Sequence, residues 1–296
     1  MFNMKLSWYE RLFNVLNLIL LTAFALICLY PFYYIFISSI SSAGAISRGV
    51  FLLPQEVNFY SYVRIFQTPG IGRAAFISLA RTVLGTLLPV SCSVFLAYIF
   101  TYKEIPFRKV LYRYFIITMY LSAGFVPFFM LISRLGLRDS FLVYIVPGVI
   151  APFFVIIAKT YIESLPESVR EAAEIDGAGI MKIFFLITVP LCKPVIACLV
   201  VFAAVGQWNS WVDTLWFIQD SDLFTLQYRL YVMLQNNMAD AMRAGTAEAA
   251  RDMMSEVTPA SLRLTMTFIT TLPILIVYPF MQRYFTKGLM LGAVKG

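Results

Sequence analysis

The chain has 296 residues, 60% apolar and 16% aromatic, with 13% charged and no histidine. A soluble domain carries roughly a quarter charged residues, so most of this surface is built to face lipid. The missing histidine removes the commonest general base, the usual zinc ligand and the neutral-pH proton switch, which sets aside metalloprotease and Ser-His-Asp chemistry within the chain.

A helix needs about 20 largely apolar residues to cross a bilayer, and six stretches qualify or come close: 12–37, 74–101, 111–132, 141–161, 189–207 and 262–285. The first is too long for a signal-peptide core and reads as an uncleaved anchor. The second carries Arg81 with Ser78, Thr82, Thr86, Ser91 and Ser93. Singly, such hydroxyls bond their own helix or a neighbour; together they suggest a helix with a face turned away from lipid. Arg81 has several readings: a long stem snorkelling to the surface, a structural ion pair, a salt bridge to a partner subunit, or a counter-ion for an acidic ligand. Cys28, Cys92, Cys192 and Cys198 lie in or beside the apolar runs without a C-x-x-C pair and read as small buried residues.

Between the fourth and fifth spans, residues 163–188 form a polar segment longer than a bundle connector needs. Ser164 followed by Glu167 has the spacing of a capping box, and Pro166 suits a first turn. A short helix is expected from there to about Asp176, ending at Gly177 in the left-handed conformation, with a second short helix running into Pro190. Ala172, Ala173 and Gly177 leave part of this element nearly bare of side chains, which suits close approach by another protein.

After the fifth span, Trp208, Trp211 and Trp216 cluster at the start of an external loop over 208–261. They fit an interfacial aromatic belt or, alternatively, a sugar or partner contact, with Gln207 and Asn209 as hydrogen-bonding candidates. Ala239 to Glu256 reads as a short amphipathic external helix with Met242, Met253 and Met254 as apolar contacts. The sixth span carries Pro273 and Pro279 and the hydroxyls Thr265, Thr267, Thr270 and Thr271. Placing both termini inside puts all eight lysines on the cytoplasmic side, as the positive-inside rule requires. The net charge of +7 is scattered between spans, so it marks topology and not a nucleic-acid surface.

Glu171-Ala172-Ala173, Gly177 separated by nine residues from Ile187, and then Val189-Pro190 resemble the EAA signature of ATP-binding-cassette importer permeases. Val189 stands where leucine is usual. Asp176-Gly177-Ala178 looks like the carbohydrate-importer version, the class containing the second membrane subunit of the maltose transporter. Gln207-Trp208-Asn209-Ser210-Trp211, Met119, Gly124-Phe125-Val126-Pro127, and the ending from Tyr284-Phe285-Thr286-Lys287-Gly288 through Gly292-Ala293-Val294-Lys295-Gly296 look most like the oligosaccharide subgroup of LplC-type and YtcP-type permeases.

The resemblance implies an all-α type I importer fold of six transmembrane helices in a bacterial cytoplasmic membrane. It implies partners: a homologous, non-identical second permease, two cytoplasmic ATPase subunits and an extracellular solute-binding protein delivering an oligosaccharide. Glu171 would make the main polar contact to the ATPase, Ala172 and Ala173 the close packing, Gly177 the turn, with Asp176 and Pro190 completing the segment. The substrate-path candidates are Gln207, Trp208, Asn209, Trp211 and Arg81; Met242, Met253 and Met254 are the binding-protein candidates. No G-x-x-x-x-G-K-[S/T] loop is present, so ATP and magnesium belong to the partner ATPase, and no cofactor, metal or catalytic residue is expected in this subunit. A non-transporting scaffold or sensor is the alternative, although it needs no Glu-Ala-Ala turn; an intramembrane enzyme using Asp213, Asp220 and Asp222 or Glu174 and Asp176 lacks a nucleophile motif.

Overall fold

The computed structural model describes residues 7–121, 123–243 and 257–293. In chain order its helices are α1 Trp8–Ser39, α2 Ala43–Arg48, α3 Tyr60–Gln67, α4 Ile71–Thr101, α5 Arg108–Tyr120, α6 Phe125–Arg134, α7 Pro152–Glu163, α8 Glu167–Ile175, α9 Ile180–Ile183, α10 Val189–Leu191, α11 Lys193–Asn209, α12 Val212–Phe217, α13 Leu226–Arg243 and α14 Pro259–Ala293. Short 3-10 turns occupy Phe141–Tyr144, Val146–Gly148 and Ser221–Leu223, and one π turn occupies Phe184–Thr188. No strand occurs among the described residues.

Three helical stretches are long and apolar enough to cross a bilayer unbroken, Trp8–Ser39, Ile71–Thr101 and Pro259–Pro279. Three bent pairs are long and apolar enough when each is taken as one span, which brings the candidate crossings to as many as six: α5 with α6 at 113°, residues 141–148 with α7 at 44°, and residues 180–191 with α11 at 78°. The breaks have local causes. Gly124 has a φ of +81° before α6, and Pro190 and Pro194 flank the bend at Cys192. A proline withdraws an amide donor and crowds the preceding turn, so it ends or bends a helix.

The chain divides into two compact units, residues 1–68 with 233–271, and residues 69–232 with 272–296. In the first, Ser7 and Glu10 cap α1 reciprocally: the Glu10 amide donates to Ser7 Oγ at 3.3 Å and the Ser7 amide to Glu10 Oε2 at 2.7 Å. From Trp8 to Phe32 every residue of α1 is exposed, as a lipid-facing helix is. Only its last turn is packed. Ile37, Ala45 and Val50 form a small core, Phe36 meets Phe268 at 5.2 Å, Ser61 donates to Ser261 at 3.0 Å, and Thr265 Oγ1 donates to the Ser39 carbonyl at 3.3 Å.

The second unit is organised on α4, against which α7 and α11 pack. Ala97, Ala158 and Ala203 are all buried in that contact, and small side chains let helix backbones approach closely where lipid supplies no hydrophobic drive. Val90, Val94, Tyr98, Val155, Val195 and Leu199 fill the core around them, which extends to Ala173 of α8 and to Ile183 and Phe184. A second core near the other end of α4 joins Ile77, Ile132, Val143, Tyr144, Phe217 and Ile218. With 31 residues, α4 carries a different structure at each end.

Candidate functional site

At the C-terminal end of α4 sits the segment carrying Glu171. Helix α8 runs Glu167–Ile175, is capped by Asp176, and turns out through Gly177 at φ +75°, a left-handed position that a side chain would strain. The expected capping box does not form. Ser164 instead closes α7, its hydroxyl donating to the Tyr161 carbonyl at 2.7 Å, and Pro166 is the N-cap, with no side-chain cap bond. Helix α8 begins at Glu167 with Pro166 at the N-cap, so Ser164 stands two residues too early to cap it.

Ser168, Glu171, Ala172 and Ile175, spaced as one helix face, are all exposed; Ile175 is 86% exposed and Glu171 has no ion pair among the described residues. Asp176, Gly177 and Pro190 are also exposed. Ala173 points the other way, 8% exposed and part of the main core. The two adjacent alanines thus have different jobs. Ala173 seats α8 on the bundle, and Ala172 belongs to the bare outer face.

Several contacts tie this segment to α4. Tyr98 donates to the Ile180 carbonyl at 2.8 Å, and since its single proton is used there, Tyr102 donates to Tyr98 at 2.6 Å. Lys103 pairs with Glu167 at 2.7 Å; Arg170 pairs with Glu167 at 3.2 Å and Glu174 at 3.4 Å and lies 5.3 Å over the Tyr102 ring. The hydrogen bond and charge of Lys103 hold the Glu167 carboxyl below its ordinary range. A cavity of about 320 Å³ opens beside these contacts, lined in part by Thr101, Lys103, Arg108, Leu165 and Ile187.

Toward the other end of α4, Arg81 is 2% exposed and spends every donor it has. Nη2 and Nη1 meet the Asp213 carboxylate at 2.5 and 3.1 Å, Nε and Nη2 meet Gln207 Oε1 at 3.2 and 3.0 Å, and Nη1 also reaches the Ser210 carbonyl at 3.2 Å. The Tyr144 ring lies 4.4 Å from the guanidinium. Of the readings open for Arg81, the structure takes an ion pair within the chain. Gly85, one turn on, makes room for the clamp: a Cβ there would lie 2.6 Å from the Gln207 amide carbon.

The network continues outward. Tyr144 donates to the Leu223 carbonyl at 2.8 Å, so the Thr214 hydroxyl donates to Tyr144 at 3.0 Å; Thr225 lies 3.3 Å from Thr214, and the Leu226 amide donates to Ser78 Oγ at 2.8 Å. Residues 207–226 are thereby bonded to α4 at two turns. Asp139 braces the same segment by accepting from the amides of Gln219 and Asp220, which lowers its carboxyl below the ordinary range.

The tryptophan and asparagine candidates lie near this node. Trp208 is half-buried in the last turn of α11, and Asn209 accepts from Gln227 at 3.4 Å. Trp211 stacks on Tyr231 with ring centroids 3.9 Å apart, and Trp216 packs on Phe125 at 4.4 Å. Met242 falls at the end of α13, with its side chain outside the described part; Met253 and Met254 lie outside the described residues. Sequence reasoning missed Asp213 as the partner of Arg81, because 132 residues separate them and nothing local marks the pairing.

Residues 89–291 match the family model of the binding-protein-dependent transport system inner membrane component. The chain belongs to that family. This permease is 34% identical over 288 residues to protein LplC of Bacillus subtilis, covering 97% of this chain and 96% of the relative. It is 32% identical over 291 residues to the polygalacturonan/rhamnogalacturonan transport system permease protein YtcP of the same organism, covering 97% and 99%. The solved bacterial ABC transporter involved in the import of the acidic polysaccharide alginate contains a chain that superposes with a TM-score of 0.86 at 29% identity, over 96% of this permease and 100% of that chain. The permease is therefore an all-α, multi-pass bacterial membrane protein of the importer fold.

Proposed function

We propose that this permease carries an oligosaccharide across the cytoplasmic membrane, beside a homologous second permease, with one of two ATPase subunits docked on its α8 face and the other on the second permease. The observation that carries the reading is that face: Glu171, Ala172 and Ile175 are exposed next to the Gly177 turn, while Ala173, Lys103 and Arg170 fasten the same helix to the bundle and Tyr98 ties the chain just beyond it at Ile180. An element exposed on one side and rigidly seated on the other converts a partner's displacement into movement of the spans. The end of α4 near α8 then faces the cytoplasm, and the Arg81 end faces outward, where a solute-binding protein delivers the sugar.

Binding of ATP would draw two such docked elements together. Two states of the spans, inward-open and outward-open, are then biased in turn by the ATPase and by the loaded binding protein. This subunit supplies neither nucleotide site nor metal and does no bond chemistry of its own. The relatives named for polygalacturonan/rhamnogalacturonan and alginate point to uronate-containing oligosaccharides as the class to test first. Arg81 is not their counter-ion, because all its donors are engaged. Trp208, Asn209 and the exposed edge of Trp211 remain the candidates for lining the sugar path.

Uptake by proteoliposomes holding both permeases and the ATPase, with binding protein outside, tests the reading. Glu171→Leu should leave the bundle intact and remove sugar-stimulated ATP turnover. Normal stimulation in an assembled Glu171→Leu complex would contradict the docking assignment.

A further inference from the structure

We infer that Arg81 and Asp213 are positioning residues of the transport cycle, which clamp residues 207–232 to α4 so that this segment travels with α4 and, through it, with α8. The inference rests on the proposed permease reading and adds to it which part of the far side moves as one body with the docking element.

The geometry carries it. A fully donated guanidinium at 2% exposure is an over-determined joint: two bonds to Asp213, two to Gln207 and one to the Ser210 carbonyl fix both the end of α11 and the start of α12 against one turn of α4. Bidentate pairing restricts orientation as well as distance, which a flexible ammonium would not do. Asp213 is itself held by Ser210 Oγ at 3.1 Å and by the Thr214 amide at 3.0 Å, so the carboxylate cannot swing with the arginine while the backbone stays behind.

Two further joints repeat the linkage nearer the start of α4. Leu226 donates to Ser78, and Arg73 Nε donates to the Asp222 carbonyl at 3.2 Å. At the other end, Tyr98 and Lys103 join α4 to Ile180 and Glu167. From Arg81 to Tyr98 the helix rises about 26 Å. A displacement applied at α8 therefore reaches the far segment through one helix with polar joints at both ends. Of these joints the Arg81 clamp holds the most hydrogen bonds, and breaking it loosens the segment while leaving the α8 attachment in place.

The test uses the assembled complex in proteoliposomes and reads sugar taken up per ATP hydrolysed. Asp213→Asn should lower that ratio by about tenfold, within the usual range of coupling between sites, without changing the amount of complex assembled. A second variant joins the segment covalently: Arg73→Cys with Asp222→Cys, in a transport-competent background whose native cysteines are alanine, bridged by a short bis-thiosulfonate. If the segment travels with α4, the bridge leaves the ratio within about twofold of the unbridged protein and restores it in Asp213→Asn. Loss of uptake on bridging, regained on reduction, would overturn the inference, as would a normal ratio in assembled Asp213→Asn. If Asp213→Asn fails to assemble, the bridge in the otherwise intact chain decides alone. Failure of the permease reading looks different: the intact complex would show no ATP turnover stimulated by loaded binding protein.

Discussion

Asp213→Ala isolates the energetic weight of the buried node. The substitution leaves Arg81 with a full charge, hydrogen bonds to Gln207 and the Ser210 carbonyl, the face of the Tyr144 ring, and no counter-ion among the described residues. Removing one member of a buried ion pair costs about 3–5 kcal/mol. The Asp213 side chain retains 24% exposure, so water reaches the site once the carboxylate is gone and the lower end, about 3 kcal/mol, is expected. That corresponds to roughly a hundredfold change in the folding equilibrium. Arg81→Met in the same chain replaces the charge by an apolar stem, so the double variant should lose much less than the sum of the two single variants. Unfolding of the purified permease in mixed micelles, titrated with sodium dodecyl sulfate and followed by tryptophan fluorescence, reads both quantities. A loss under about 1 kcal/mol for Asp213→Ala, or additivity of the two substitutions, would refute the view that Arg81 depends on this carboxylate.

Gly85→Ala should cost about 1–3 kcal/mol by driving a methyl into the Gln207 amide, and Gly85→Ala with Gln207→Ala should recover part of that loss in the same titration. Ala173→Leu overpacks the core under α8 and should lower stability by a similar amount, whereas Ala172→Leu, on the exposed face, should leave stability unchanged and weaken ATPase binding, read by co-purification. Glu167 has its folded pKa lowered, first by its hydrogen bond from Lys103. The stabilising contribution of that tie is therefore full above the ordinary carboxylate range and is lost as pH falls through the lowered value. Carbon-13 shifts of labelled glutamate should show Glu167 titrating below the ordinary glutamate range, and Lys103→Gln should move it back toward that range.

The membrane character of the chain was legible because lipid demands long apolar runs, and the α8 segment because its chemistry is local. Glu167 to Gly177 needs only helix spacing and one left-handed residue to be recognised, and the helix ends at Asp176 with Gly177 at φ +75° as that pattern implies. Where a long-range partner or a competing bond decides the outcome, composition and spacing say little. Ser164 has the spacing of a cap but lies two residues before the N-cap that Pro166 occupies, and two adjacent alanines divide between core and surface according to a helical phase set by the whole bundle. Arg81 illustrates the limit most clearly. As a charge in an apolar run it demands a partner, yet only the packing of α4 against α11 and α12 selects Asp213 over Asp220 or Asp222. The capping box that does form, between Ser7 and Glu10, has the Ser-x-x-Glu pattern in plain view at the start of the first span.

In the proposed cycle α8 transmits ATPase movement into this bundle through a face holding Glu171, Ala172 and Ile175. The most direct test is simultaneous measurement of ATP turnover and oligosaccharide uptake in proteoliposomes, comparing the intact complex with one carrying Glu171→Leu. Loaded binding protein should stimulate both activities in the intact complex and neither in the assembled variant. Equal stimulation of the two complexes would contradict it.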